Sequence, residues 1–287
     1  KQGAENISFG SPDPHGLAVA VQQAIPGKTT DEYRAAASKI QAAIETEIRY
    51  ELLKGQFQTA HNERLVWGKL TPEVGYLRIS QSYGLFNPGL TREQMYAELD
   101  ATLDNIFTDF KSSKSLIIDV ATNTGGATFV TDFIARRLIQ KRTVAYHSKA
   151  KTPTGFEEEF TKTLEPQNRP DFSGKVVVLI SSNTVSAGEA LPLFLHGLPN
   201  VTLFGEKTLG ATGSFTMLSL PNGGKVGVSN YVITDRNGDW YEKRGISPDI
   251  RAVVFNPNKL VTGYLDFVNS ALELTNLKSK KIRPKSN

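Results

Sequence analysis

Cysteine is absent from all 287 residues. That excludes disulfides, thiolate metal sites and a cysteine nucleophile. Histidine is scarce, at four copies, so imidazole chemistry is confined to His15, His61, His147 and His196. No apolar run approaches the roughly 20 residues of a membrane-spanning helix, and no such span is expected. The first residues do not read as a signal peptide. The chain opens abruptly at Lys1 on a polar stretch containing glycine and proline, read as the start of a mature or shortened form. Charge of one sign is lacking too, because the formal net charge of +4 is spread along the chain. The one basic cluster, Lys278 to Lys285, reads as a solvated tail, and no nucleic-acid partner is expected. There is no internal repeat and no low-complexity segment. A cysteine-free chain is compatible with a periplasmic or secreted location, which is the expectation here.

What remains is enough chain for one large domain or two small ones. Residues 1–28 read as irregular. Thr29 with Glu32 forms a capping box that opens a helical pattern running to about Leu53. Its apolar stripe includes Tyr33, Ala36, Ile40, Ile44, Ile48 and Leu52. Residues 56–70 read as extended or mixed. Val74 to Ile79 alternates as a strand does, and Thr91 to Phe110 has the period of an amphipathic helix. Buried strands are expected at Leu116 to Val120 and at Val176 to Ile180. Shorter strands are expected at 143–147 and 201–204. Helices are expected at 128–140, 187–196 and 260–274, and residues 149–172 read as a surface excursion. Hairpin turns are expected at Pro221 to Gly224 and Asp235 to Gly238. Strands alternating with helices argue for an α/β core. The domains expected are an N-terminal helical segment over 1–70 and an α/β domain over 71–287.

The stretch Lys175 to Leu191 carries the most chemistry. A β-branched run ends in a polar turn, and Ser186-Ala187-Gly188-Glu189 then leads into an apolar helical pattern. A serine at such a junction has helix N-terminal N–H groups beside it, which could stabilise an oxyanion. The plain alternative is an N-cap serine with Glu189 as capping-box partner. Upstream, Ser115 to Gly126 runs from a buried strand into a glycine turn. Downstream lie Gly205 to Ser214 and Trp240 to Ile250.

In this order and spacing, the four segments resemble the catalytic domain of the S41 serine peptidases, the family of the tail-specific (carboxyl-terminal processing) proteases and the tricorn core. The resemblance covers roughly Val74 to Ala252. It implies a crotonase/ClpP-like ββα spiral core, a peptide or protein substrate, and no metal or organic cofactor. It makes Ser186 the nucleophile, with Ala187 and Gly126 N–H groups holding the oxyanion. The family's Arg-Asn-x-Gly-Gly-Gly turn is altered here, with Ala121 at the Arg position and Thr124 at the first Gly. The tail-specific branch uses a Ser–Lys dyad, but the Lys position is Ala211, and Lys207 reads as a structural or surface residue. The tricorn branch uses Ser, His and Glu, and Glu242, ahead of Gly245-Ile246-Ser247-Pro248-Asp249, keeps that Glu position. The resemblance then expects the histidine before strand 74–79, which leaves His61 and His15, with His61 the closer. A base upstream of Lys1 is the further option. Between Thr59 and Gly75 there is no room for the PDZ domain that many relatives insert.

Two other classes fit parts of this pattern. One is a catalytically inactive S41-like module that binds peptides or small ligands, favoured by the lack of a clean base motif. The other is an acyl-CoA enzyme of the crotonase type, which shares the spiral and an oxyanion hole but gives no reason for the Ser-Ala-Gly-Glu and Gly-Ile-Ser-Pro-Asp pair. Failure to bind CoA thioesters would remove it.

Overall fold

The computed structural model describes residues 16–276. A short helix α1 (Leu17–Ala24) precedes α2 (Thr30–Glu47), which ends in a wider π-type turn over Ile48–Leu52. The Thr29–Glu32 capping box is present, with Glu32 N–H donating to Thr29 Oγ1 and Thr29 N–H to Glu32 Oε2. Three strands follow: β1 (Phe57–Ala60), β2 (Leu65–Thr71) and β3 (Val74–Ile79). Then come α3 (Arg92–Asp109), β4 (Ser115–Asp119), α4 (Thr128–Arg136), β5 (Thr143–Thr152), β6 (Gly155–Phe156) and β7 (Phe160–Leu164). The chain continues through β8 (Lys175–Ile180), α5 (Ala187–Leu195), β9 (Val201–Gly205), β10 (Phe215–Ser219), β11 (Lys225–Ser229), β12 (Tyr231–Thr234), β13 (Ile250–Arg251) and α6 (Thr262–Asn276).

One mixed sheet, in the order β1-β2-β3-β4-β8-β9-β13, forms the centre. Its first three strands are antiparallel, and β3, β4, β8, β9 and β13 run parallel. Strands β4 and β8 are central and covered on both faces, which is why they read as continuous apolar runs. Alternation splits their side chains between two cores. Leu116, Ile118, Val176, Val178 and Ile180 pack under α3, α4 and α5, while Ile117, Val177 and Leu179 pack against α1, α2 and α6. Each such residue, fully buried, contributes about 1.5–3 kcal/mol of transfer free energy. A smaller sheet joins β12, β5 and β6, with β7 also paired to β5 opposite β12, and β10 pairs with β11.

The α/β expectation holds, and the helices at 91–110, 128–140 and 260–274 appear within a few residues. Residues 1–28 hide one helix, α1, whose Leu17, Ala20 and Val21 are buried. Residues 149–172 are not a simple excursion, because β5 extends to Thr152 and pairs with β7 from Thr143↔Leu164 to Ser148↔Phe160. The boundary expected at residue 70 falls inside β2, which is bonded to β3 in the same sheet. Among the described residues, no helix is long and apolar enough to cross a membrane.

Candidate active site

Parallel β4 and β8 both end at the same edge, so the loops that follow them meet. Three hydrogen bonds lock them together. Thr184 Oγ1 donates to the Val120 carbonyl at 3.0 Å, Val185 N–H to the Asn123 carbonyl at 2.9 Å, and Ser181 Oγ to the Ala121 carbonyl. A third segment, just past β3, joins them. Ser82 N–H donates to the Gly125 carbonyl at 2.9 Å, and Ala127 N–H to the Ser82 carbonyl at 2.6 Å.

Ser186 sits where β8 gives way to α5, with φ 55° and ψ −123°. A non-glycine residue rarely adopts such a backbone, at a cost of about 1–3 kcal/mol. The residue is exposed at this junction. Ser186 and Glu189 face each other as a capping box, yet the hydroxyl makes no capping hydrogen bond. The Glu189 N–H goes instead to the Ser186 carbonyl at 2.8 Å.

Two glycines let the neighbouring loop approach. Gly126 has φ 134°, and a Cβ there would lie 2.1 Å from the Ser82 carbonyl carbon. At Gly125, with φ 108°, a Cβ would lie 2.8 Å from Ser186 Cβ. The Gly125 N–H is taken by Asn123 Oδ1 at 2.9 Å. Among the described residues, the N–H groups of Gly126 and Ala187 donate to no protein acceptor. Both residues line one cavity of about 300 Å³ together with Ser186. Its walls are Thr128, Tyr146, Ala190, Leu193, Phe194 and Ile233, and its rim is Thr212, Gly213 and Ser214. Tyr146 stacks on Phe194 with ring centroids 5.6 Å apart. Burial, helped by Asp132, raises its hydroxyl pKa, so the phenol stays protonated.

Behind the serine lies Glu189, fully buried. Its carboxylate receives Ser186 N–H at 3.1 Å, Thr208 Oγ1 at 2.6 Å, Gly210 N–H at 2.8 Å and Ala211 N–H at 2.8 Å. Burial raises its pKa, against the pull of those four donors. Ala211, where a dyad lysine would stand, is thus held by its main chain. Lys207 is exposed, as expected.

The expected His61–Glu242 pair is not formed. His61 occupies the turn after β1 with φ 53°. Its Nε2 lies 3.0 Å from Thr102 Oγ1, and its ring meets Phe86 edge-on at 4.8 Å. It lines a separate hollow with Leu85, Asn87, Glu98 and Ala101. The physical reason is topological: β1 is the sheet's edge strand, two strands removed from β3, and its turn packs on α3. Glu242, half-buried, accepts Gly213 N–H at 2.8 Å and Thr212 Oγ1 at 3.2 Å, so it braces the rim rather than an imidazole. His147 pairs with Thr161, and His196 caps the end of α5. His15 lies outside the described residues. The residues after it pack on the loop before Ser186, where Leu17 N–H donates to Asn183 Oδ1 at 2.9 Å. Among the described residues, no three His, Asp or Glu side chains gather as metal ligands.

Sequence reasoning missed the cavity wall. Tyr146 and Ile233 come from β5 and β12, and nothing local marks them. It also read Glu189 only as a cap, although a buried carboxylate needs donors that a capping box alone does not supply.

Comparison with known proteins gives the family. The model of peptidase family S41 matches residues 73–252. The carboxy-terminal processing protease CtpA of Bacillus subtilis is 29% identical over 175 residues, covering 59% of this chain and 34% of that protein. The nisin-resistance protein of Lactococcus lactis is 34% identical over 91 residues, covering 32% of this chain and 29% of that protein. The chain thus spans about a third of the length of the curated relatives it matches. Among solved structures, a putative peptidase from Parabacteroides merdae superposes with a TM-score of 0.68 at 26% identity, covering 83% of this chain and 72% of that one.

Proposed function

The chain belongs to peptidase family S41, and from that premise we propose that it is a serine peptidase acting on peptide or protein substrates. The carrying observation is that Ser186, on a strained elbow, shares one cavity with two N–H groups that have no acceptor among the described residues. Its hydroxyl attacks the scissile carbonyl. The Gly126 and Ala187 N–H groups receive the charge that develops on the carbonyl oxygen, a contribution of roughly 10²- to 10³-fold in rate per donor. The Ser186 proton passes to a neighbouring base, which later returns it to the leaving amine. Glu189 keeps the serine backbone seated through its N–H.

The base is an imidazole in this reading. His61 is bonded to Thr102 in its own hollow, so His15 becomes the candidate, because the chain that follows it rests on Asn183, three residues before the serine. The relatives it matches include carboxyl-terminal processing proteases by their printed names, and cleavage near a substrate's C-terminus is the substrate class we assign. A periplasmic or extracellular location accords with a structural neighbour described as a lipoprotein from Streptococcus agalactiae.

The test is a fluorophosphonate probe. The protein should be labelled, Ser186→Ala should not, and His15→Ala should label at least about 100-fold more slowly, in line with loss of an activating base. A protein that stays unlabelled although folded would instead be a peptide-binding relative without catalysis.

A further inference from the structure

Arg78 and Asp119 are completely buried, at 0% exposure each. They sit opposite each other on adjacent strands, in the register Arg78↔Asp119 at the ends of β3 and β4. A buried ion pair is costly unless every donor and acceptor is satisfied. Here all five guanidinium donors are used. Nη1 donates to Asp119 Oδ2 at 2.7 Å and to Tyr264 Oη at 2.9 Å. Nη2 donates to Thr122 Oγ1 at 2.8 Å and to Glu45 Oε1 at 2.7 Å, and Nε reaches the same Glu45 oxygen at 2.9 Å. Asp119 in turn accepts Tyr76 Oη at 2.6 Å, Tyr264 Oη at 2.8 Å and, through Oδ1, the Ala121 N–H at 3.0 Å.

Two of these bonds leave the core and enter the loop that carries Gly126. Ala121 N–H and Thr122 Oγ1 are its first anchors, and the turn Asn123 to Gly126 follows without a break. We infer that Arg78 is a positioning residue for the oxyanion loop, acting through Asp119 and Thr122, and that Glu45 of α2 completes the clamp. The inference deepens the peptidase reading, and its kinetic arm rests on that reading. The segment matched to the family begins at residue 73. Helix α2 lies before it, so the helix contributes to the site through Glu45 rather than merely covering the sheet.

A rival explanation is that Arg78 only stabilises the core. Arg137 is the control, because it is equally buried and clamps Asp100, Asp104 and the Pro170 carbonyl without bonding to residues 120–127. Arg78→Lys keeps the charge but loses the planar fork. Three quantities are read on Arg78→Lys, Glu45→Gln and Arg137→Lys: the melting temperature, the labelling rate of Ser186 at saturating probe, and amide hydrogen exchange of residues 121–126. Arg78→Lys should label about 10- to 100-fold more slowly, the cost of displacing a reacting group by a fraction of an ångström. Its 121–126 amides should exchange faster. Glu45→Gln should show the same change at smaller size. Arg137→Lys should label within about twofold of the unaltered protein despite a lowered melting temperature. If Arg78→Lys does not fold, Thr122→Val removes one anchor and should slow labelling about threefold, a hydrogen bond's worth. Equal slowing in Arg78→Lys and Arg137→Lys, or unchanged exchange at 121–126, overturns the inference. If the unaltered protein is never labelled, the peptidase reading fails, and the exchange arm alone decides the clamp.

Discussion

The Ser186 N–H donates to Glu189 Oε2 at 3.1 Å, and the same carboxylate holds Ala211 N–H at 2.8 Å. One buried side chain therefore joins the Ser186 elbow to the loop at 208–211. Glu189→Gln presents an NH2 group to some of these donors. At least one main-chain N–H is then left buried without an acceptor, at about 1–3 kcal/mol. The expected result is a melting temperature lower by several degrees and slower labelling of Ser186. An unchanged labelling rate would separate Glu189 from the site.

Gly126→Ala tests the loop directly. Its Cβ would fall 2.1 Å from the Ser82 carbonyl carbon, so the loop or the 80–83 segment must move. With one oxyanion donor displaced, labelling should drop by about 100-fold or more. Circular dichroism should still show a folded α/β protein. A variant labelled at the normal rate would remove Gly126 from the oxyanion hole.

His61 provides a test of pH. Burial lowers its pKa below the ordinary 6.5, against an opposing effect from Glu98. The unfolded chain therefore takes up this proton at a higher pH than the folded one. Stability should fall as pH drops through about 6.5 and continue to fall until the lowered folded pKa is reached. Urea midpoints measured from pH 7.5 to 5 should show this slope, and His61→Gln should flatten it. The same variant should label at the normal rate, whereas a large loss would return His61 to the site.

Glu242→Gln separates two roles. As a brace for Gly213 N–H and Thr212 Oγ1, Glu242 should affect how substrate fits the cavity rim, raising KM about two- to fivefold with kcat nearly unchanged. As an orienter of the base, it would instead lower kcat by orders of magnitude. Steady-state kinetics on a peptide substrate reads the difference.

Much of the fold was legible because its signals are local. A capping box with its apolar stripe announced α2, and the amphipathic period announced α3; the Thr29–Glu32 box closes as expected, and a second box closes from Thr91 to Gln94. The unbroken apolar runs at 116–120 and 176–180 announced strands covered on both faces. The junction after Ile180 announced Ser186. Helix α1 was hidden because Gly16, not a capping side chain, precedes it, and its buried face is short. The length of β5 was hidden because polar Ser148, Lys149 and Lys151 interrupt the apolar pattern of a strand in a small, half-exposed sheet.

The sequence by itself determined where the serine elbow and the glycine turn lie along the chain, since periodicity, caps and turn residues act over a few neighbours. Only the tertiary structure decided what stands around them. It sent His61 to α3, put Tyr146 in the cavity wall, and brought Glu45 to Arg78 across 33 residues. The reason is energetic. A buried charge such as Glu189, Asp119 or Arg78 must find enough partners to offset its desolvation. Those partners come from whichever strands and helices the sheet order makes adjacent, and no local pattern records that order.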